Sequence, residues 1–337
     1  ILIPVLYTGT APIAALLFLG ASVWAAKRLP SQSFPVILFA AACVLRIGIC
    51  LILETPPVSD FRILLDASES LAQGDTSFLS DSYFETWPYQ MGFVFVQSLI
   101  LKIFDSILFL KTVNCLVSAG ICVLVYLISR TFLKEEYAKA CAVFYMFLPF
   151  SLTYVTVLTN QHLSAFFIYL GIYVLVKERF RAGEIMRFVT AGILTAFGNI
   201  IRPEGIVTVF SVILFLVLSA NRTVWKRNLA KAAALAASYF LVLALAGNLF
   251  AASGISPDRL KNNAPYWKFV LGFNYETGGQ YSGEDAWVLE EGMEEEGWQL
   301  VRERVCERPD RIAELFLKKV NIFWNTSPLG WSFGHLD

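Results

Sequence analysis

The sequence contains few charged residues and almost no histidine. Only 16% of its 337 residues are Asp, Glu, Lys or Arg, and it has two histidines, His162 and His335. A soluble domain of this length needs far more polar surface, so this composition excludes an ordinary soluble protein. Acidic and basic residues balance to a net charge of zero. The chain therefore lacks the overall basic character that indicates nucleic-acid binding.

Several motifs with well-known chemistry are also absent. The sequence has no GxGxxG or GxxxxGK[ST] stretch, which excludes the common glycine-rich phosphate-binding loops, and no HExxH motif. Its cysteines show neither CxxC spacing nor a disulfide framework. Five of them lie in apolar runs and are expected to pack as small hydrophobic residues, whereas Cys306 lies in a polar region. These five are Cys43, Cys50, Cys115, Cys122 and Cys141.

Long apolar runs are the main positive feature of the sequence. Hydrophobic residues make up 56% of the chain, and its mean hydropathy is +0.59. Several runs approach or exceed the ~20 residues that cross a bilayer core. They predict an all-α polytopic membrane protein with helices near residues 3–26, 35–53, 107–129, 137–154, 162–176, 185–201, 203–219 and 228–250. The run 88–104 is shorter and is interpreted as a half-helix at the membrane interface.

The basic residues predict the orientation of these helices. They concentrate in alternate connections, after the first and third helices and around residues 177–187 and 222–231, and positive-inside logic places those connections in the cytoplasm. The acidic stretch 54–87, the turn 155–161, the turn at Arg202 and the tail after residue 250 then lie outside the cell membrane. The assignment holds only if 88–104 does not cross.

The predicted organisation has three parts. Residues 1–34 form an extra N-terminal transmembrane helix and a cytoplasmic turn, and residues 35–250 form a transmembrane module whose outer loop, 54–106, carries two juxtamembrane helices. Residues 251–337 form an extracytoplasmic segment. Because the chain starts at Ile1 and stops soon after an aromatic segment, it is expected to be a fragment with further helices beyond it.

The outer loop and its surroundings carry the candidate chemistry. Asp60 precedes an amphipathic helical pattern, where Ser59 or Asp60 could simply be the N-cap. Arg46 and Lys111 lie within apolar helices, where charges are expensive and mark function by default, and Arg202 lies in an outer turn. Structural ion pairs or interface anchoring are the alternative explanations for these cations. A carboxylate beside cations at one membrane face fits group transfer from a lipid-phosphate donor.

The order of these segments resembles the GT-C membrane glycosyltransferases. The order is an apolar helix, Asp60, the amphipathic stretch "FRILLDASESLAQGD", the segment "WPYQMGF" and the span "ILFLKTVNCLVSAGICVLVYLISRTF". It is most similar to the branch of protein O-mannosyltransferases and the bacterial aminoarabinose transferase of lipid A, over residues 35–325. The chain departs from that pattern in its extra first helix and in having Asp60-Phe61 where many relatives have Asp-Glu.

The resemblance implies roles for particular residues. Asp60 matches the catalytic acidic residue, which deprotonates the acceptor. Arg202 and Lys111 match basic residues of the family and would bind the donor phosphate. Arg46 is a further candidate for that contact, from its place in an apolar helix and not from the resemblance. Because Asn160 stands where relatives often have a carboxylate, no metal is predicted, and no cofactor is expected besides the lipid-linked donor. The expected substrate or lipid contacts are Arg62, Trp87, Tyr89, Gln90, Asn160 and Tyr266. An interfacial aromatic belt is the favoured alternative explanation for Trp87, Tyr89 and Tyr266. His162 is interpreted as a satisfied helix-end residue.

The sequence therefore predicts an inverting glycosyltransferase of the plasma membrane. It would move a sugar from a polyprenyl-phosphate donor to a lipid, glycan or protein acceptor on the outer face, with no nucleic-acid partner. Two alternatives remain open. A lipid-linked saccharide flippase or envelope transporter also needs cations for a lipid phosphate but no general base. An envelope polysaccharide polymerase needs a long outer loop with several basic residues.

Overall fold

In the computed structural model, residues 10–177, 180, 182–307 and 309–325 are described, and all regular secondary structure in these residues is helical. The predicted all-α polytopic membrane protein is confirmed. The α-helices are α1 Thr10–Arg28, α2 Phe34–Ile52, α3 Asp60–Gln73, α4 Ser82–Thr86, α5 Met91–Ile103, α6 Ile107–Ser129, α7 Glu135–Met146, α8 Pro149–Thr153, α9 Gln161–Val176, α10 Glu184–Ile201, α11 Gly205–Leu218, α12 Trp225–Ala252, α13 Trp267–Gly272, α14 Glu294–Arg302 and α15 Pro309–Asn325.

Four of the described helices, α2, α6, α10 and α12, are long and apolar enough to cross a membrane. The bent pair formed by α7 and α8 with the turn after it is a fifth candidate, and α9 and α11 are shorter apolar helices. Helices α2, α6, α9, α10 and α12 pack on one another in a single bundle. Helix α1 packs against α7, and its Ala26 joins a core cluster with Phe34, Tyr126 and Met146.

The prediction of one continuous helix over 137–154 is wrong. Helix α7 ends at Met146, and α8 begins at Pro149, with a bend of 59° between the two. Proline has no N–H to continue a helix and pushes the residue before it out of the helical region. Leu148 accordingly has φ −61° and ψ 119°. After α8, all of residues 154–160 are buried, and the 3₁₀ turn at 154–156 contacts α2 and α6.

Helix α5 is too short to cross a bilayer core. Its 13 residues extend about 20 Å at 1.5 Å per residue, which is consistent with the predicted half-helix at 88–104. The helix packs on α3 and crosses α10 closely at Gly92, where a Cβ atom would lie 1.8 Å from the Ile200 carbonyl oxygen. Because this contact admits only glycine, the start of α5 lies directly against the end of α10.

The tail after α12 is attached to the outer loop by backbone contacts. The Tyr89 N–H donates to the Lys261 carbonyl at 3.1 Å, and the Asn263 N–H donates to the Thr86 carbonyl at 3.0 Å. The Asn263 side-chain amide also donates to the Glu85 carbonyl at 2.7 Å. These bonds place α13 beside α4 and the start of α5.

Within the tail, buried polar contacts join its short helices. Arg304 Nη2 lies 2.8 Å from Asp285 Oδ1, and Asn274 Nδ2 donates to Asp285 Oδ2 at 2.8 Å. The Tyr266 hydroxyl donates to the Val288 carbonyl at 2.8 Å. Helix α13 is thus held in place from inside the tail as well as from the loop. The predicted division at residues 34 and 250 stays a prediction.

Candidate active site

Asp60 is the first residue of α3 and follows a strained residue. Ser59 has φ +50°, and it is the only non-glycine residue with positive φ among those described. It occupies the N-cap position without a capping side-chain hydrogen bond. The Asp60 side chain is exposed, and in the described part of the chain it has no hydrogen-bond or ion-pair partner. The carboxylate is therefore available to a ligand, at a helix terminus whose dipole favours negative charge.

A chain of hydrogen bonds joins four elements beside Asp60. Arg202 Nη1 donates to Asn160 Oδ1 at 2.9 Å, and Asn160 Nδ2 donates to Gln90 Oε1 at 3.3 Å. Gln90 Nε2 in turn donates to the Tyr83 hydroxyl at 3.1 Å. Because a guanidinium can only donate, it fixes the orientation of both amides along the chain. The outer turn, the segment after α8, the start of α5 and α4 are thus held in one arrangement.

Asp60 lines a cavity of about 340 Å³ together with three residues of this chain of bonds, Gln90, Asn160 and Arg202. Asp60, Phe61 and Leu64 come from α3, whereas Tyr89 and Gln90 come from the turn before α5. The other walls are formed by residues of the segment before α9, the Arg202 turn and the tail. They are Tyr154, Thr159, Asn160, Gln161, Arg202, Pro203, Glu204 and Lys268. Five sequence-predicted site residues, Asp60, Tyr89, Gln90, Asn160 and Arg202, therefore meet in one place.

The charges in the cavity are not equivalent. The Arg202 guanidinium contacts the Glu204 carboxylate, and its side chain is 32% exposed. Lys268 is exposed at the cavity wall and has no ion-pair or hydrogen-bond partner in the residues that the structure describes. Asp60 and Lys268 are thus an anion and a cation that both remain available, while Glu204 is paired.

Two tyrosines keep their protons at neutral pH. Burial raises the pKa of the Tyr89 phenol, with Arg202 acting against this rise and Asp60 adding to it. Burial and then the charge of Asp60 raise the pKa of Tyr83 as well. Both hydroxyls are therefore neutral and able to donate, and of the two, Tyr89 lines the cavity with Asp60.

The structure places the two predicted intramembrane cations outside this cavity. Arg46 is fully buried in α2, where Nε donates to Ser118 Oγ and Nη2 to Ser151 Oγ, both at 2.9 Å. Lys111 Nζ donates to the Thr55 carbonyl oxygen at 2.7 Å. Neither side chain lines the cavity, so their predicted contact with the donor phosphate stays a prediction without geometric support.

Three further predicted contacts also lie away from the cavity walls. Arg62 forms an ion pair with Asp66 at 2.8 Å on the exposed face of α3. The Trp87 ring packs against Tyr83, with ring centroids 4.9 Å apart. Tyr266 is buried in the tail against Trp298. Trp87 and Tyr266 therefore support the cavity through packing, and their predicted contact with substrate remains untested.

His162 has the environment expected of a satisfied helix-end residue. It is buried in α9, and Nε2 lies 2.9 Å from the Tyr154 carbonyl oxygen, to which it donates. Among the described residues no group of three His, Cys, Asp or Glu side chains could bind a metal ion. The expectation that no metal takes part remains a prediction.

Sequence reasoning missed Lys268, Glu204 and Tyr154 as cavity residues. Lys268 lies in "APYWKFVLGFN", two residues after Tyr266. Its neighbours in the sequence are mostly aromatic and apolar, so a lone cation among them was the available signal. Glu204 was visible beside Arg202 in "NIIRPEG", but only the fold shows that it faces the same cavity.

Comparison with known proteins gives one result. Neither a search of curated proteins nor a search of solved structures found a match to this chain. A family model does match, over a region that contains Gln90, Lys111, Asn160 and Arg202 but ends before Lys268 and starts after Asp60. The match supports a glycosyltransferase of the mannosyltransferase type. Residues 90–246 match the dolichyl-phosphate-mannose-protein mannosyltransferase family, a GT-C-type glycosyltransferase family, which confirms the resemblance predicted from the sequence.

Proposed function

We propose that the protein transfers a sugar from a polyprenyl-phosphate donor to an acceptor at the outer membrane face, with inversion at the anomeric carbon. The observation that carries this proposal is the cavity in which the unpaired Asp60 carboxylate faces Arg202 and Lys268. A base and cations that line one cavity are the groups that a single displacement from a phosphate leaving group uses.

In the proposed step, Asp60 acts as the general base. The acceptor's hydroxyl or amine attacks the anomeric carbon of the donor, and its proton passes to the Asp60 carboxylate. The bond between the anomeric carbon and the phosphate oxygen breaks, and that oxygen leaves with the electron pair. The products are the glycosylated acceptor and polyprenyl phosphate, and Asp60 then releases its proton to solvent. One free carboxylate is enough, because this displacement has no covalent enzyme intermediate.

The departing phosphate gains a negative charge, which the cations of the cavity stabilise. Arg202 presents donors that suit phosphate oxygens, and its contacts with Asn160 and Glu204 fix the guanidinium before the donor arrives. Lys268 adds a second cation from the tail. The neutral hydroxyl of Tyr89 is suited to donate to a sugar hydroxyl or a phosphate oxygen.

The cavity is of a size that accommodates a small ligand. Its volume of about 340 Å³ lies within the ~300–1,000 Å³ of small-molecule sites.

The charge distribution supports an active site on the outer side. Helix α2 begins close to the basic turn at Lys27 and Arg28 and ends close to Asp60. If α2 crosses the membrane, the basic turn and Asp60 lie on opposite sides, and positive-inside logic places the basic turn in the cytoplasm.

Transfer of radiolabelled sugar from synthetic polyprenyl-phosphate sugars to the acceptors of a native membrane extract tests the proposal. We expect Asp60→Asn to reduce transfer by about 10²- to 10⁴-fold, the usual contribution of a general base. Binding of polyprenyl phosphate to this variant should be retained, because the cations are unchanged.

Asp66→Asn is the matched control, since Asp66 lies on the same helix, pairs with Arg62 and does not line the cavity. Its transfer should equal that of the wild type. Equal transfer by Asp60→Asn would remove Asp60 from the chemistry. If neither protein transfers sugar from any donor but both move labelled donor across liposome membranes, the protein is a transporter instead.

A further inference from the structure

Lys111 is a buried cation with an unusual partner. It lies in α6, a membrane-crossing candidate, and is 7% exposed. A charge inside a membrane helix is costly unless a partner compensates it. No carboxylate lies within ion-pair distance of Lys111 in the described residues. Its ammonium donates instead to the carbonyl oxygen of Thr55 at 2.7 Å, so the cation is used to hold a piece of backbone.

Thr55 connects this contact to the other side of the cavity. The hydroxyls of Thr55 and Thr156 are 2.9 Å apart, and Thr156 Oγ1 donates its proton to the Thr153 carbonyl at 2.9 Å. Thr55 must therefore be the donor between the two hydroxyls. Asn114, one turn along α6 from Lys111, donates to the Val157 carbonyl at 3.2 Å. Helix α6 thus binds both the segment before Asp60 and the segment before Asn160.

Both segments are short and stiff enough to transmit this anchoring. Four residues separate Thr55 from Asp60, and two of them are Pro56 and Pro57. Proline fixes its own φ and restricts the residue before it, so the orientation of Thr55 largely determines where the chain goes next. On the other side, the residues between Thr156 and Asn160 are all buried.

We propose that Lys111 is a positioning residue, which acts on the chemistry through Thr55 and does not bind the donor phosphate. Lys111 fixes the Thr55 carbonyl, and Pro56 and Pro57 then determine the path of the chain from Thr55 to Asp60. Through the Thr55–Thr156 bond, Lys111 also fixes the positions of Asp60 and Asn160 relative to each other. The inference rests on the proposed role of Asp60 as the general base.

The test separates positioning from donor binding with Lys111→Met. A misplaced base impairs the chemical step, whereas a lost phosphate ligand weakens binding. A displacement of about 1 Å at a reacting centre can cost about 10²-fold. We therefore expect kcat to fall about 10- to 100-fold, while the KM for the polyprenyl-phosphate sugar and the Kd of radiolabelled polyprenyl phosphate stay within about twofold.

Lys102→Met is the matched control, because Lys102 is an exposed lysine at the end of α5 that does not line the cavity.

Thr156→Val is the second variant, and thermal unfolding in detergent checks that each protein is folded. Thr156→Val removes the acceptor for Thr55 from the opposite side, so it should lower kcat in the same direction by a smaller factor, again without raising the Kd. If Lys111→Met does not fold, this variant decides.

A rise in the Kd of polyprenyl phosphate of tenfold or more in Lys111→Met would assign Lys111 to the donor site and overturn the inference. If the wild type is active, an unchanged kcat in Lys111→Met would also overturn the inference. If only Thr156→Val folds, an unchanged kcat in that variant would overturn it instead. A wild type that transfers no sugar from any donor would overturn the proposed function, and the inference with it. The two failures are thereby distinguished.

Discussion

Two pairs of cations occur near the same end of the bundle, and they differ in what they contact. Arg202 and Lys268 line the cavity and remain accessible to a ligand. Arg46 and Lys111 lie inside α2 and α6, where hydroxyl groups and a backbone carbonyl are their hydrogen-bond acceptors. A charge within a membrane helix therefore does not by itself indicate that the residue binds a ligand. The partners of each cation decide whether it binds a substrate or holds the protein together.

The buried pair organises the helices that carry the cavity. Arg46 joins Ser118 of α6 to Ser151 of α8, and Lys111 joins α6 to the segment before α3. In the described structure, Arg46 Nη1 has no hydrogen-bond partner, so this guanidinium already tolerates one unsatisfied group. Arg202 and Lys268, by contrast, lie on a turn and on the tail, where Asn160 and Glu204 hold Arg202 and the contacts within the tail hold the helix of Lys268.

The largest effect is expected from the pair of cations that lines the cavity. Arg202→Gln should lower kcat/KM for the polyprenyl-phosphate sugar by about 10²- to 10³-fold, because it removes a preorganised charge aimed at the leaving phosphate. Transfer kinetics in detergent would measure the change. Arg259→Gln is the control, since Arg259 is an exposed arginine of the tail outside the cavity. If kcat/KM of Arg202→Gln stays within threefold of the wild-type value, the proposed difference in ligand binding between the two cation pairs is wrong.

An intermediate effect, on stability and not on binding, is expected from the buried pair. Ser151→Ala leaves a second N–H group of the Arg46 guanidinium without an acceptor, which should cost about 1–3 kcal/mol. Thermal unfolding in detergent should show a lower midpoint, while the Kd of polyprenyl phosphate stays unchanged.

Ser211→Ala is the matched control for that measurement, because Ser211 is an exposed serine whose hydroxyl donates to its own helix, at the Val207 carbonyl. Its midpoint should equal that of the wild type. A weaker Kd with an unchanged midpoint in Ser151→Ala would show that Arg46 serves ligand binding after all.

The smallest effect concerns pH and the support of Lys268. Burial works to raise the pKa of Asp285, but hydrogen bonds from Arg304 and Asn274 and the charge of Arg304 outweigh it, so the pKa is lowered from 3.8. A carboxyl whose pKa is lower in the folded state stabilises the fold above its ordinary pKa, and it loses this contribution as the pH falls through the folded value. Below pH 3.8, α13 and α14 should therefore become easier to open.

Hydrogen exchange of α13 and α14, corrected for the intrinsic pH dependence of exchange, would measure this opening. In Asp285→Asn, the acid-dependent part of this opening should disappear. Helices α13 and α14 should also open more readily at neutral pH in this variant than in the wild type. The same loss of protection in both proteins as the pH falls would show that the Asp285–Arg304 pair does not hold the element that carries Lys268.

Much of the fold could be predicted from the sequence, because apolar periodicity and length are local properties. Helices α2, α6, α9, α10, α11 and α12 lie within a few residues of their predicted positions. The bend at Leu148 was missed although Pro149 was visible, since the apolar run continues through it. The meeting of Asp60, Tyr89, Gln90, Asn160 and Arg202 was anticipated through family resemblance, and their spacing alone does not show it.

The sequence by itself determined the class of the protein, its apolar helices, and a carboxylate and several cations in the connections. Those properties depend on composition and on short stretches of chain. Only the tertiary structure decided which cations face the cavity, because this depends on how α5 crosses α10 at Gly92 and how the tail returns to the outer loop. It also gave Lys111 a backbone carbonyl as its partner and brought Lys268 to the cavity. Such contacts join residues that are far apart in the chain, and no local pattern encodes them.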